Sequence, residues 1–427
     1  MKFYIEEHKG NSTDKSRIEI VERKGLGHPD YMADSIAEAF SRNLSKYYIE
    51  HFGTILHHNV DKLEIVGGNV DVEFGGGKFL KPMVMFFSGR ATTKVGDKVI
   101  PLAEIAEQSA KNFIKENYRF VNPDDKKQII FMIETKSSST DLVGVYEGKD
   151  ALSSGKILAN DTSVGIGYAP LTITERTIKE LEMYLNSKKF KEKYPYSGED
   201  VKIMGTRIDK KLDLTIAMGF VSKFVDSETG YWKYKGKIME EIRKFVESKI
   251  SDSEISLNEK GIDLGENGSK GIYLNTADVR KNREGKGNIY LTLTGISAEQ
   301  GDDGAVGRGN RVNGIIPFQR PLSMEAVAGK NPVNHIGKLY NVMAFRIADK
   351  IYSELHTQIR QVEVKLLSQI GISITEPYIA CASIIPADNA KVSDLEGRIK
   401  KIFEGELTNE KFENLRKEFV EGKIEVC

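Results

Sequence analysis

The hydrophobic period of this chain changes repeatedly between that of a strand and that of a helix, and this alternation limits its folds more than any other feature. The β-rich runs at 63–74 and 83–92 flank a glycine cluster at 75–77, which predicts a hairpin connection. Leu102, Ile105, Ala106, Phe113 and Ile114 then fall on one helix face behind Pro101, a residue suited to the first turn. An earlier face is formed by Ile36, Phe40, Leu44 and Tyr47, with Asp34 as a candidate cap. Further strands are predicted over 128–135, 201–208, 212–222, 288–295 and 377–385, and further helices around 174–186, 236–249, 337–354 and 408–420. Strand pairs followed by helices predict an α+β architecture with helices packed on one face of each sheet. No fixed-period repeat is visible.

A chain of 427 residues exceeds a single small core and predicts roughly two to four domains. Divisions near 125 and 285 give three units, 1–125, 126–285 and 286–427, with approximate boundaries and interleaving expected between them. Lys plus Arg and Asp plus Glu both number 62, so a strongly basic nucleic-acid binder is not expected. The opening MKFYIEEHKG has no apolar signal region, and apolar runs such as 83–87 are too short to span a bilayer. The two cysteines, Cys381 and Cys427, make neither a disulfide framework nor a cysteine-based zinc site. A cytoplasmic protein without membrane or nucleic-acid partners is expected.

Three segments carry chemistry. Gly25-Leu26-Gly27-His28-Pro29-Asp30 precedes the first helix, whose N-terminus favours a phosphate. There His28 can donate to an oxyanion, and Asp30 offers hard oxygen to Mg²⁺. The segment 301–311, GDDGAVGRGNR, follows a predicted strand. Its glycines allow close backbone approach, Asp302 and Asp303 can hold a cation or ammonium, and Arg308 and Arg311 can clamp phosphate oxygens. The third segment, Ala328-Gly329-Lys330-Asn331-Pro332-Val333-Asn334-His335, places Lys330 before a helix, but its glycine spacing is not that of a P-loop. Each also has a plain structural alternative: a capped turn, a flexible surface loop and a solvated helix start.

Smaller candidates are the 160–168 segment with Asp161, the polar turn Ser139-Thr140-Asp141, and Asp200 with Lys202, which alternation puts on one strand face. The last pair has an exposed ion pair as its ordinary reading. His-Pro-Asp also occurs in chaperone J-domains, but the β-rich sequence beyond residue 60 does not fit that helical module.

Taken in order, GLGHPD, NDTSVGIGYAP, GEDVKIMG, SAEQGDDGAVGRGNR and VAGKNPVNHIGK resemble the S-adenosylmethionine synthetases, in their archaeal-type branch, over roughly residues 20 to 390. The resemblance implies three similar α/β units about a pseudo-threefold axis, and a homodimer or dimer of dimers with active sites shared between subunits. It implies ATP and L-methionine as substrates, Mg²⁺ as cofactor and K⁺ as a candidate monovalent cation. Carried over by position, His28 contacts ATP and Asp30 binds Mg²⁺, while Asp200 and Lys202 contact nucleotide and phosphates. Asp302 meets methionine and ATP, Arg308 and Lys330 grip phosphate, Asp161 matches an aspartate turn, and Ser139, Thr140 and Asp141 match a Ser-Pro-Asp turn. The sequence departs from the better-studied branch at Asn69, Gly309 and Asn334, where that branch has Glu, Lys and Lys; Lys338 is a candidate substitute for the last. The glutamate that holds the monovalent cation in that branch has no clear counterpart, with Asp61 nearby.

The implied reaction is attack of the methionine sulfur on C5′ of ATP, which needs no activated Ser or Cys and agrees with the lack of a triad. A metal-dependent phosphohydrolase and a non-catalytic nucleotide-binding module are the competing classes. They are separated by whether ATP consumption requires methionine.

Overall fold

The protein is described here by a computed structural model that covers residues 2–137, 157–282 and 287–427. In chain order its principal elements are β1 (Lys2–Glu7), β2 (Ile18–Lys24), α1 (Pro29–Phe52), β3 (His58–Val66), β4 (Met83–Ala91), α2 (Leu102–Asn117) and β5 (Ile129–Ile133). They continue with β6 (Val164–Ala169), α3 (Ile173–Leu185), β7 (Ser197–Ile208), β8 (Lys211–Val221), α4 (Glu228–Ile250) and β9 (Ile272–Leu274). The last are β10 (Gly304–Ala305), α5 (Ile336–Leu355), β11 (Ile359–Leu367), β12 (Ile379–Pro386), α6 (Glu396–Glu406) and α7 (Asn409–Glu421).

Three sheets result, and the same pairing scheme recurs in each. The strand order is β10-β3-β4-β5 in the first, β2-β7-β8-β9 in the second and β6-β11-β12-β1 in the third, with short strands adding to the second. The first two pairings of each are antiparallel and the last is parallel. Each sheet encloses its own apolar core with its own helices. Phe40, Leu44 and Tyr48 of α1 meet Leu63, Ile65 and Phe87. Ile178 and Leu181 of α3 and Ile242 of α4 meet Ile203 and Leu214. Tyr340, Met343 and Ile347 of α5 meet Val362, Val364 and Ala382. Burial of each such side chain stabilises by about 1.5–3 kcal/mol, so the alternating period seen in the sequence corresponds to three separate interiors.

The strands are exchanged cyclically. β2 runs into α1 of the first unit but pairs in the second sheet; β6 runs into α3 of the second but pairs in the third; β10 precedes α5 of the third but pairs in the first. β2 of the second sheet and β10 of the first thereby meet at the start of α1, where Ala305 N donates to Asp30 Oδ1.

Two local expectations are corrected. The glycine cluster at 75–77 does not connect β3 to β4. It turns a small separate hairpin, Asn69–Glu73 against Gly76–Lys81, with Gly75 at φ +87° and Gly77 at φ +147°, while β3 and β4 still pair with each other. The strand predicted over 288–295 is reduced to Leu291–Thr292, because the backbone N–H groups of Leu293 and Thr294 donate to the Glu299 carboxylate instead of a neighbouring strand. Among the described residues no helix is long and apolar enough to cross a membrane.

β6 lies directly on α5. A Cβ on Gly167 would sit 2.3 Å from the Ala344 carbonyl carbon. Gly167→Ala is therefore expected to destabilise by about 1–3 kcal/mol through overpacking. Gly397→Ala, in α6 with open space around it, should instead stabilise by about 0.5–1 kcal/mol. Urea denaturation of both variants checks the pair; equal effects would mean that α5 does not press on β6.

Candidate active site

The GLGHPD segment is held by backbone pairing with β7 and by side chains from two helical regions. Gly25 N donates to Val201 O at 2.7 Å and Gly27 N to Glu199 O at 2.9 Å. Leu26 N donates to Glu182 Oε1 at 3.2 Å, and Leu26 O accepts from the Tyr118 hydroxyl at 2.8 Å. The other oxygen of Glu182 takes Arg23 Nε at 2.6 Å, and both side chains are buried. His28 is the N-cap of α1, with Pro29 in the first turn. Its Nδ1 accepts the Asp30 N–H at 3.2 Å, which leaves Nε2 as the protonated nitrogen and a donor.

Charged groups of both signs surround this imidazole. Asp30 Oδ2 accepts from Lys24 Nζ at 2.8 Å; its Oδ1 accepts from Ala305 N at 3.0 Å and lies 3.4 Å from Arg308 Nε. Burial alone would raise the Asp30 pKa, but Lys24 and the Ala305 N–H hold it below its usual value. Burial pushes His28 down to about 4; Asp30 opposes this, while the Lys24, Lys202 and Arg308 cations add to it. The imidazole is thus neutral near pH 7. Lys202 stands opposite Lys24 across the β7–β2 pairing, 3.4 Å from Glu22 Oε1. Arg308 is largely exposed, with its side chain 72% accessible.

Asp200 is buried nearby. Its Oδ2 accepts from the Tyr290 hydroxyl at 2.7 Å and its Oδ1 has no hydrogen-bond partner among the described residues; burial pushes its pKa up to about 6. Asp302 is exposed and accepts from Ser297 Oγ at 2.9 Å. A cavity of about 540 Å³ opens beside Lys202 and Tyr290. His28, Asp30, Lys202 and Arg308 form one charged group, with Asp200 and Asp302 near Lys202 and each other; of the six, Lys202 is the one that lines the cavity.

Other candidates are engaged differently. Arg311 folds back on its own loop, Nη2 donating to Gly307 O at 2.7 Å and Gly309 O at 2.8 Å. Lys330 is buried and bonded to Asp61 Oδ2 at 2.7 Å, with Glu325 at 3.5 Å. Lys338, fully buried, is held by both oxygens of Glu38. Asp161 is exposed and accepts from its neighbour Thr162 N. Among the described residues neither Lys330 nor Asp161 bonds to the His28 group. Ser139, Thr140 and Asp141 lie outside the described residues.

No three His, Cys, Asp or Glu side chains among the described residues converge on a metal by themselves. The donors present still suit Mg²⁺, which binds through one or two carboxylates and completes its shell with water and substrate phosphates. The unpartnered, buried Asp200 Oδ1 and the exposed Asp302 provide hard oxygens, whereas both Asp30 oxygens are already engaged.

Sequence reading missed the contributions of Lys24, Asp34 and Tyr290. Asp34 accepts from Gly307 N at 2.8 Å and Gly309 N at 3.0 Å rather than capping α1, and burial pushes its pKa up to about 7. The available signal was spacing: Asp30 and Asp34 are four apart and share one helix face. Lys24 and Tyr290 had no comparable signal.

A neutral imidazole donor, the Lys202 and Arg308 cations and the Asp200 and Asp302 carboxylates thus stand close together. The model of the family described as S-adenosylmethionine synthetase (AdoMet synthetase) matches residues 1–423. S-adenosylmethionine synthase from Caldivirga maquilingensis is 46% identical, with 96% of each chain covered. That from Hyperthermus butylicus is 44% identical, covering 99% of this chain and 98% of its own. The fold also resembles a solved structure described as an unusual S-adenosylmethionine synthetase from Campylobacter jejuni, at TM-score 0.56 and 16% identity over 94% of this chain and 90% of that one. The chain belongs to the S-adenosylmethionine synthetase family, whose enzymes are methionine adenosyltransferases, as the archaeal-type motifs implied.

The Glu182 anchor can be tested by stability. Glu182→Ala leaves Arg23 buried without its carboxylate and is expected to cost about 3–5 kcal/mol. Tyr118→Phe removes a single hydrogen bond and should cost about 1 kcal/mol. Chemical denaturation measures both, and a Glu182→Ala cost no larger than that of Tyr118→Phe would remove Glu182 as the main support of the turn.

Proposed function

We propose that the His28 group is the triphosphate end of an active site that makes S-adenosylmethionine from ATP, L-methionine and water. The observation that carries this reading is the neutral His28, whose Nε2–H has no partner among the described residues, grouped with Lys202 and the exposed Arg308. The methionine sulfur attacks C5′, the C5′–O bond breaks, and its electron pair leaves with the triphosphate. Water then cleaves the tripolyphosphate to phosphate and diphosphate. Sulfur needs no base, so the protein's main task is to stabilise the leaving anion. His28 donates to it, Arg308 offers a planar fork and Lys202 a point charge. Asp200 and Asp302 would hold Mg²⁺ with the phosphate oxygens, and Asp30, fixed by Lys24, orients the cation group. When bound, the metal neutralises charge on the phosphates. Orientation of sulfur, C5′ and leaving oxygen in line supplies much of the remaining acceleration.

The repeated pairing scheme supports a pseudo-threefold relation among three units near 1–125, 126–285 and 286–427, each lending a strand to the next. Two features support a homodimer with shared sites. The outer face of the first sheet leaves Val66, Ile130 and Met132 exposed, and among the described residues Asp161 and Lys330 are not joined to His28 within one chain. The resemblance assigns both to the same reaction, Asp161 across from His28 of the partner and Lys330 at the phosphates.

ATP consumption is expected to require both methionine and a divalent cation, with a sulfonium product from labelled methionine; ADP formation indifferent to methionine would favour a phosphohydrolase. His28→Asn should slow single-turnover sulfonium formation by roughly 10²–10³ while changing ATP affinity little. Near-normal formation would return His28 to the role of a cap. For the shared site, His28→Asn and Asp161→Asn homodimers should each be impaired. Co-refolding equal amounts should restore about a quarter of wild-type sites; no recovery, with mixed dimers verified by mass spectrometry, places both residues in one chain's site.

A further inference from the structure

We propose that Asp34 and Arg311 are positioning residues that present Arg308 to the triphosphate. This rests on the reading of Arg308 as a phosphate ligand given above.

The backbone of 307–309 is secured on both sides of Arg308. Asp34 gives one carboxylate oxygen to each flanking N–H, Oδ1 to Gly307 at 2.8 Å and Oδ2 to Gly309 at 3.0 Å. From the other side, Arg311 Nη2 donates to the carbonyls of the same two residues at 2.7 and 2.8 Å. The Arg308 carbonyl accepts from Lys24 Nζ at 2.6 Å, and its N–H donates to Ala305 O at 3.3 Å. All six backbone polar groups of the three residues are engaged, and Asp34 lies on rigid α1. The Arg308 side chain, 72% exposed, is the part of the segment left to reach outward. The fit is close: a Cβ on Gly309 would stand 2.2 Å from Asp34 Oδ2. A long, flexible arginine binds an anion at less entropic cost when its base is fixed, and small displacements of such groups lower rates steeply.

Neither Asp34 nor Arg311 reaches substrate in this scheme, so their effect must vanish when Arg308 is gone. A double-mutant cycle reads this, with kcat and KM measured per folded site. Arg308→Ala should lower kcat about 100-fold. Asp34→Asn and Arg311→Ala should each lower kcat by roughly tenfold or more in the wild-type background, with KM for methionine little changed. In the Arg308→Ala background the same substitutions should change kcat by less than about twofold. Gly309→Ala, which pushes the Asp34 carboxylate aside without altering it, should follow the same pattern and serves if Asp34→Asn does not fold. Equal losses in both backgrounds would overturn the proposal, since the residues would then act independently of Arg308. A near-wild-type Arg308→Ala enzyme would instead overturn the phosphate-ligand reading, and the positioning role with it.

Discussion

The site depends on hydrogen bonds between the first two turns of α1 and a glycine-rich segment some 275 residues later in the chain. Asp30 takes the Ala305 N–H, and Asp34 takes those of Gly307 and Gly309. These carboxylates do not accept from side chains alone; they replace a neighbouring strand for a backbone segment with little regular pairing of its own. A loop so rich in glycine would otherwise lose much conformational entropy on ordering. Anchoring it on a helix buried against the first sheet converts that loop into fixed structure.

The same helix orders the opposite rim. Its N-cap is His28, whose tautomer is set by the next turn, and the preceding residues are carried on β2 into the second sheet. Lys24 ends that strand and contacts both Asp30 and the Arg308 carbonyl. One interaction set therefore ties the second sheet, the first helix and the 301–311 segment. The cations can stand close together because Asp30, Glu22 and the low local pKa of His28 keep the group from accumulating uncompensated positive charge.

Much of this was legible in the sequence because it is local. The helix face of Ile36, Phe40 and Leu44 and the face behind Pro101 reflect a 3.6-residue period that burial enforces. GLGHPD announces a helix start by chemistry alone. What escaped is non-local. Glu299 diverts the N–H groups of Leu293 and Thr294, so a run with strand composition cannot pair. The glycines at 75–77 have the composition of a hairpin turn, yet composition cannot say which strands that turn joins. Lys330 is a cation before a helix, but its partner Asp61 is 269 residues away in sequence. Spacing cannot reveal such a pairing, nor that Arg311 spends its donors on its own loop.

The cyclic exchange of strands has a consequence for synthesis of the chain. β3 forms an edge of the first sheet until β10, at Gly304–Ala305, has emerged to cover it, and β1 must wait for β12, at Ile379–Pro386. A nascent chain that has already made α1, α2 and the central strands of the first sheet still presents an open row of N–H and C=O groups. Most multidomain chains fold unit by unit as they leave the ribosome. Here no sheet is complete until most of the polypeptide exists. Before residue 305 is made, the β3 edge of the first sheet is therefore open to edge-to-edge pairing.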